Sequence, residues 1–169
     1  MAESFLTLMA DYCEEDQQRI SIWSSALQNA GFTGIQTLCM KHHISLATFP
    51  IGQETEALRL AQEIAARFAP RTVAIRHIGI MPGGKTLFAA PDMSPELTAL
   101  QHASGETMLN GYPWLPHTTL LIAAPETVAA ALPTLMRCFS PIPARLDRLR
   151  LCAFWPEREI WVEELNGTE

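Results

Sequence analysis

No run in this sequence approaches the twenty or so apolar residues that a membrane-spanning helix needs, so no membrane partner is expected. The N-terminus, MAESFLTLMADYCEED, lacks a basic leader and turns acidic early, unlike a secretory signal; a soluble, cytoplasmic protein is expected. Basic residues are scarce. Twelve Lys and Arg against eighteen Asp and Glu leave a net charge of −6, which argues against strong non-specific nucleic-acid binding. A site gripping a single phosphate is still compatible with that charge. The local excess of base at Arg137, Arg145, Arg148 and Arg150 reads as solvated surface, balanced by Glu157, Glu159, Glu163 and Glu164. Four cysteines, Cys13, Cys39, Cys138 and Cys152, lie far apart without a C-x-x-C, so free, reduced thiols are expected. Linkers and low-complexity segments are also missing.

What is present is a 48% hydrophobic chain of 169 residues, long enough for one domain over 1–169 with a substantial core. Strand-like and helix-like segments alternate. SFLTLMA is a strand-sized apolar run, followed by a helix with Ile20, Trp23, Leu27 and Ala30 on one stripe and Gly31 at its end. HHISLATF is the next strand. ETEALRLAQEIAARFA is an amphipathic helix with Leu60, Ile64 and Phe68 at four-residue steps, and TVAIRHIGIM, a PGGK turn and TLFAAP follow as strands. In the second half, Ser94-Pro95 reads as an N-cap with proline at the first helical position, ahead of a face at Leu97, Leu100, Ser104 and Met108. After the strand HTTLLIA, PETVAAALPTLMRCF predicts a helix with Val128, Leu132, Leu135, Met136 and Phe139 inward and a kink at Pro133. ARLDRLRLCAF and EIWVEEL predict a closing hairpin.

The halves match. His43-Ile-Ser45 and His117-Thr-Thr119 stand 74 residues apart, and the helices and strands that follow them repeat at nearly the same separation. The prediction is an α+β fold of two duplicated β-α-β-α-β units. Its lobes fall near 1–84 and 85–169, with strands able to exchange between them. Antiparallel or mixed sheets line a central cleft, with the helices outside.

On a strand, residues i and i+2 share a face. His43 and Ser45 therefore project together, with Ile44, Leu46 and Thr48 turned toward the helices. His117 and Thr119 project likewise, against Thr118, Leu120 and Ile122. A pseudo-two-fold axis would bring two imidazoles and two hydroxyls to one cleft. Such a set suits phosphoester chemistry, in which one group takes a proton from the attacking oxygen and another gives one to the leaving oxygen. Imidazoles, with an ordinary pKa of about 6.5, serve both roles near neutrality. The hydroxyls of Ser45 and Thr119 would donate to the non-bridging phosphate oxygens. A single His-x-Thr on a strand is more often an edge or satisfied core residue. A zinc site built on His42, His43 and His117 is the other structural alternative, but no HExxH or carboxylate spacing accompanies them, so no metal or other cofactor is expected. His42, opposite in pleat to His43, reads as structural. His77 and His102 read as ordinary residues, His77 near the cleft rim.

The tetrads HISL (His43–Leu46) and HTTL (His117–Leu120), the second preceded by Pro116, resemble the duplicated motifs of the 2H phosphoesterase superfamily, the 2′,5′-RNA ligase and cyclic nucleotide phosphodiesterase group. The resemblance covers essentially the whole chain. It implies that His43 and His117 are the catalytic pair and Ser45 and Thr119 the phosphate-binding hydroxyls. It also implies metal-independent hydrolysis of a 2′,3′-cyclic phosphate or a related cyclic or 2′,5′-linked phosphodiester. In related enzymes the histidine of the N-terminal lobe often acts as the acid and the C-terminal one activates water, the roles varying with substrate. Two positions depart from the pattern. Thr118 replaces an apolar residue, a mild change where its hydroxyl bonds locally. Ile122 stands where RNA-acting bacterial members commonly carry arginine, which argues against an extended RNA; Lys41, Arg76 or Lys85 are the candidate substitutes. Trp114 and Trp155 are candidates to stack on a base, or else to cap the core. The expected partner is a nucleotide or RNA-end phosphodiester, bound by a monomer. A silent relative that only binds such an end is the alternative function, and a metal-dependent hydrolase a more remote one.

Overall fold

The computed structural model describes residues 4–35, 40–105 and 113–169; Cys39 and Met108 lie outside them. Among the described residues the elements run β1 (Phe5–Tyr12), α1 (Glu14–Asn29), β2 (His43–Pro50), a 3-10 turn (Ile51–Gln53), α2 (Glu54–Arg67), β3 (Arg71–Ile80), β4 (Thr86–Pro91), α3 (Pro95–Ala103), β5 (Thr118–Ile122), α4 (Pro125–Cys138), β6 (Ile142–Phe154) and β7 (Arg158–Glu164). The architecture is α+β, with every strand pair antiparallel.

Local chemistry explains the helix ends. Ser94 accepts a hydrogen bond from the Leu97 amide at 3.1 Å and Pro95 opens α3, as predicted. At the end of α1, Gly31 takes φ 88°, and the amide of Phe32 reaches back to the Leu27 carbonyl at 3.0 Å. Ile20, Trp23 and Leu27 are buried on α1, whereas Ala30 is exposed beyond its last turn. Helix α4 runs through Pro133 and buries Val128, Ala131 and Leu135; Met136, expected inward, is 64% exposed. It lies one residue, about 100° of helix, past Leu135 and leaves the 128–131–135 stripe.

The sheet order is β2-β1-β6-β3-β4-β5, with β7 also on β6. Strand β6 is long enough to serve two neighbours on one side: Ile142–Leu146 pair with β3 and Arg148–Ala153 with β7, while β1 runs along its other side. The N-terminal half thus lends β3 to the strands of the C-terminal half, and β6 joins β1 in return. Under this sheet lies one large apolar cluster, in which Leu6, Leu8, Ile44, Leu46, Leu87, Leu120, Leu149 and Leu151 meet Ile20, Ile64, Leu97 and Leu135 from the helices. Each such side chain, fully buried, contributes roughly 1.5–3 kcal/mol.

The terminal strands of the order, β2 and β5, carry the two histidine motifs, and they touch. The hydroxyl of Thr118 donates to the His43 carbonyl at 3.2 Å. The sheet therefore curls until its outer strands meet, which brings both motifs together.

Candidate functional site

Each motif strand bends at the same place. In the β1–β2 register Leu8 opposes Ala47 and Met9 opposes Ser45, so Leu46 is the extra residue. In the β4–β5 register Leu87 opposes Leu121 and Phe88 opposes Thr119, so Leu120 is the extra residue. These are the last residues of the two tetrads. A bulge reverses the alternation beyond it. Thr48 and Ile122, expected to face the helices, instead line the cleft together with His43, Ser45 and Thr119. The cleft holds about 690 Å³, within the range of ligand sites.

The two histidines are anchored alike. Nδ1 of His43 lies 2.8 Å from the Lys41 carbonyl and Nδ1 of His117 lies 2.8 Å from the Leu115 carbonyl, two residues back in each case. A carbonyl can only accept, so both Nδ1 atoms carry hydrogen and both Nε2 atoms are left for chemistry. Burial lowers the pKa of each ring. The carbonyl bond to each works against burial, and charge on His43 lowers His117 further. His117 stands just ahead of β5, its ring meeting the edge of Phe88 with centroids 5.4 Å apart. Phe88 lies across Gly79, its partner on β3, where an added Cβ would come within 2.5 Å of the ring. Only glycine leaves that space for the aromatic support of His117.

Thr118, the departure in the second tetrad, ties the halves together. Its hydroxyl proton goes to the His43 carbonyl, so the buried Tyr12 hydroxyl, 2.8 Å away, must donate to Thr118. Trp114 adds a second tie: its indole N–H donates to the Ser45 carbonyl at 2.8 Å and its ring packs on the core. Its place is that of a core cap. Trp155, 49% exposed, lines the cleft beside Phe154, which stacks on Phe5 with centroids 5.5 Å apart.

His42 is fixed by its main chain, whose amide and carbonyl both bond the Gln17 side chain, and its ring lies 3.3 Å from the Ser24 hydroxyl. Burial, with the charge of His43, brings its pKa down to about 4. His77 sits with Arg76 on Asp92, on an exposed stretch of β3 away from the cleft lining. Of the proposed substitutes for the missing arginine, Lys41 lines the cleft and pairs with Glu14 at 3.4 Å, while Arg76 is held by Asp92. Among the described residues, no three His, Cys, Asp or Glu side chains are grouped to hold a metal ion.

One group escaped the sequence reading. Arg150 is not solvated surface: its side chain is 16% exposed and donates twice to Oδ2 of Asp11, at 2.8 and 2.6 Å, and once to Glu159. The signal was available. Leu149 and Leu151 face the core, so Arg150 must face the opposite side of β6. That side also carries Met9 of β1, the register partner of Arg150, which lines the cleft, whereas Arg150 and Asp11 lie outside the lining.

In structure, the chain is similar to LigT of E. coli in its apo form, with 17% identity, TM-score 0.65, and 98% of this chain and 100% of that one covered. It is also similar to LigT complexed with 3'-AMP (18%, 0.65, 98% and 100%) and to TT0787 of Thermus thermophilus (14%, 0.68, 98% and 100%). These establish a shared fold. No curated protein matches the chain in sequence. The family model described as the 2'-5' RNA ligase superfamily matches residues 31–154, a span that contains both tetrads and most of the sheet. With well over half of its length matched, the chain belongs to the 2'-5' RNA ligase superfamily.

Proposed function

We propose that this protein is a metal-independent phosphodiesterase that opens a 2′,3′-cyclic phosphate, or a related cyclic or 2′,5′-linked nucleotide phosphodiester, with one histidine as base and the other as acid. The observation that carries this reading is the equivalent anchoring of His43 and His117, which leaves Nε2 for chemistry on two rings whose motifs meet at the bond from Thr118 to the His43 carbonyl. One Nε2 takes the proton of the attacking water and the other protonates the departing sugar oxygen as its bond to phosphorus breaks. Ser45 and Thr119, one per motif on the cleft wall, donate to the non-bridging oxygens as their charge grows. A pair of such acids and bases supplies about 10²–10⁴-fold each.

LigT has been crystallised with 3'-AMP and with ATP, and a nucleotide of that size suits a cleft of about 690 Å³. The half-exposed indole of Trp155, beside the Phe5–Phe154 stack, offers the base a face. Ile122 in the cleft and the net charge of −6 favour a nucleotide or a strand end over a long RNA. A panel of 2′,3′-cyclic and 2′,5′-linked nucleotides, incubated with the protein and EDTA and resolved by chromatography, tests the proposal. Turnover of a cyclic nucleotide undiminished by EDTA supports it. Binding without turnover points to the silent relative, and activity abolished by EDTA to a metal enzyme.

A further inference from the structure

The equivalence of the two histidines fails at one position. On β1, Asp11 is the register partner of His43, so the two side chains project side by side on one face. The β4–β5 pairing ends at Ala89 and Thr118, one residue short of His117, and no carboxylate of the described residues acts on that ring. One imidazole stands beside a carboxylate and the other does not.

Asp11 is fully buried. Arg150 binds only one of its oxygens, Oδ2, and Oδ1 has no hydrogen-bond partner among the described residues. A buried carboxylate oxygen left without a donor is costly, and the part of the charge that Arg150 does not offset acts on whatever stands beside it. Building on the phosphodiesterase reading, we propose that Asp11 is a positioning residue that keeps the mobile proton on His43 rather than His117. His43 then delivers it to the leaving oxygen while His117 receives one from the attacking water.

The step balances. The water oxygen bonds phosphorus, its proton goes to Nε2 of His117, the bond from phosphorus to the sugar oxygen breaks, and Nε2–H of His43 supplies the proton that oxygen needs. Solvent exchange then returns both rings to their starting states. Of the other charged groups around His43, Arg150 on β6 opposes its charge and Glu157 in the β6–β7 turn favours it, while His117, just ahead of β5, has its own charge opposed by that of His43. Lys41 and His42, just ahead on its own chain, complete the set, with Lys41 paired to Glu14 and Arg150 tied to Glu159. Burial, the largest influence, lowers both rings; Asp11 works against it at His43 alone.

The test is a ring-resolved NMR titration of the five histidines in the full chain, which needs no substrate. In the parent protein His43 should titrate above His117. Asp11→Asn should lower the His43 midpoint by about one pH unit, and Arg150→Gln, which uncovers the carboxylate, should raise it, with His117 nearly still in both. A purely structural role moves the two variants in the same direction or not at all, and either result overturns the proposal. Should Asp11→Asn not fold, the sign of the Arg150→Gln shift decides alone. Kinetics provide a second readout: Asp11→Asn should slow a cyclic nucleotide about 10–100-fold but a p-nitrophenyl phosphodiester, whose leaving group needs no proton, only about threefold or less. Equal losses on both overturn the assignment of His43 as the proton donor. Opposite NMR shifts in a protein that turns over no phosphodiester would keep the hold of Asp11 on the proton and reject the enzymatic reading.

Discussion

At the scale of single residues, the site works through what each side chain has left after its structural bonds are made. His43 and His117 each commit Nδ1–H to a main-chain carbonyl, which sets the tautomer and aims Nε2. The hydroxyls of Ser45 and Thr119 face the same cleft, and in the proposed reaction they supply hydrogen bonds without moving protons. Ser45→Ala should therefore slow turnover about 10–100-fold, less than loss of either histidine, as steady-state kinetics would reveal. A loss equal to that of His43→Ala would mean that the serine takes part in proton transfer. That Ser45 shares a face with His43, and that Ser45 and Thr119 line one cleft, was legible in the sequence because a two-residue period on a strand is a strict rule. Arg150 was not, because its sign and its neighbours in the chain resemble those of any surface arginine. Alternation with Leu149 and Leu151 gives its face, but only the pairing of β6 with β1 brings Asp11 within reach on that face.

At the scale of elements, the decisive feature is that two outermost strands of an antiparallel sheet meet. The chain Tyr12 hydroxyl to Thr118 hydroxyl to His43 carbonyl closes that seam inside the protein. Thr118→Val removes the middle member and leaves the buried Tyr12 phenol without its partner, at a cost of about 1–3 kcal/mol. Tyr12→Phe/Thr118→Val relieves the phenol, so denaturant titrations should find the double variant no less stable than Thr118→Val alone. Further loss in the double variant would contradict the bond direction. The elements themselves were well anticipated, including the Ser94 cap and the repeat of strand and helix. The error lay beyond the tetrads. Alternation carried through Leu46 and Leu120 put Thr48 and Ile122 on the wrong face, because a bulge depends on cross-strand register and has no signature in one strand's own residues. Trp114 was ambiguous for a similar reason: its proline-flanked position suits an open stacking loop, yet the neighbouring Ser45 carbonyl captures its indole.

At the scale of the whole molecule, burying imidazoles couples the site to stability. His42 has a folded pKa of about 4 against about 6.5 unfolded, so between those values the unfolded chain binds a proton that the folded one refuses. That stability is complete above about pH 6.5 and is lost as the pH falls toward 4, at up to roughly 1.4 kcal/mol per pH unit for this one group. His43 and His117, both lowered by burial, act in the same direction; Asp11, raised by burial, opposes them. Urea midpoints should accordingly fall from about pH 7 to about pH 5, and fall less in His42→Gln. Midpoints that rise on acidification, or an unchanged slope in that variant, would contradict the assignment.

Symmetry at this scale makes the central claim sharp: two rings from two repeats act on one phosphorus in one step. Groups that act as a unit are not independent, so their losses do not multiply. The direct measurement is kcat/KM for a 2′,3′-cyclic nucleotide in His43→Ala, His117→Ala and the double variant, with circular dichroism confirming that each is folded. The account predicts about 10²–10⁴-fold loss in each single variant and little further loss in the double. Full activity in either single variant, or losses that multiply in the double, would contradict it.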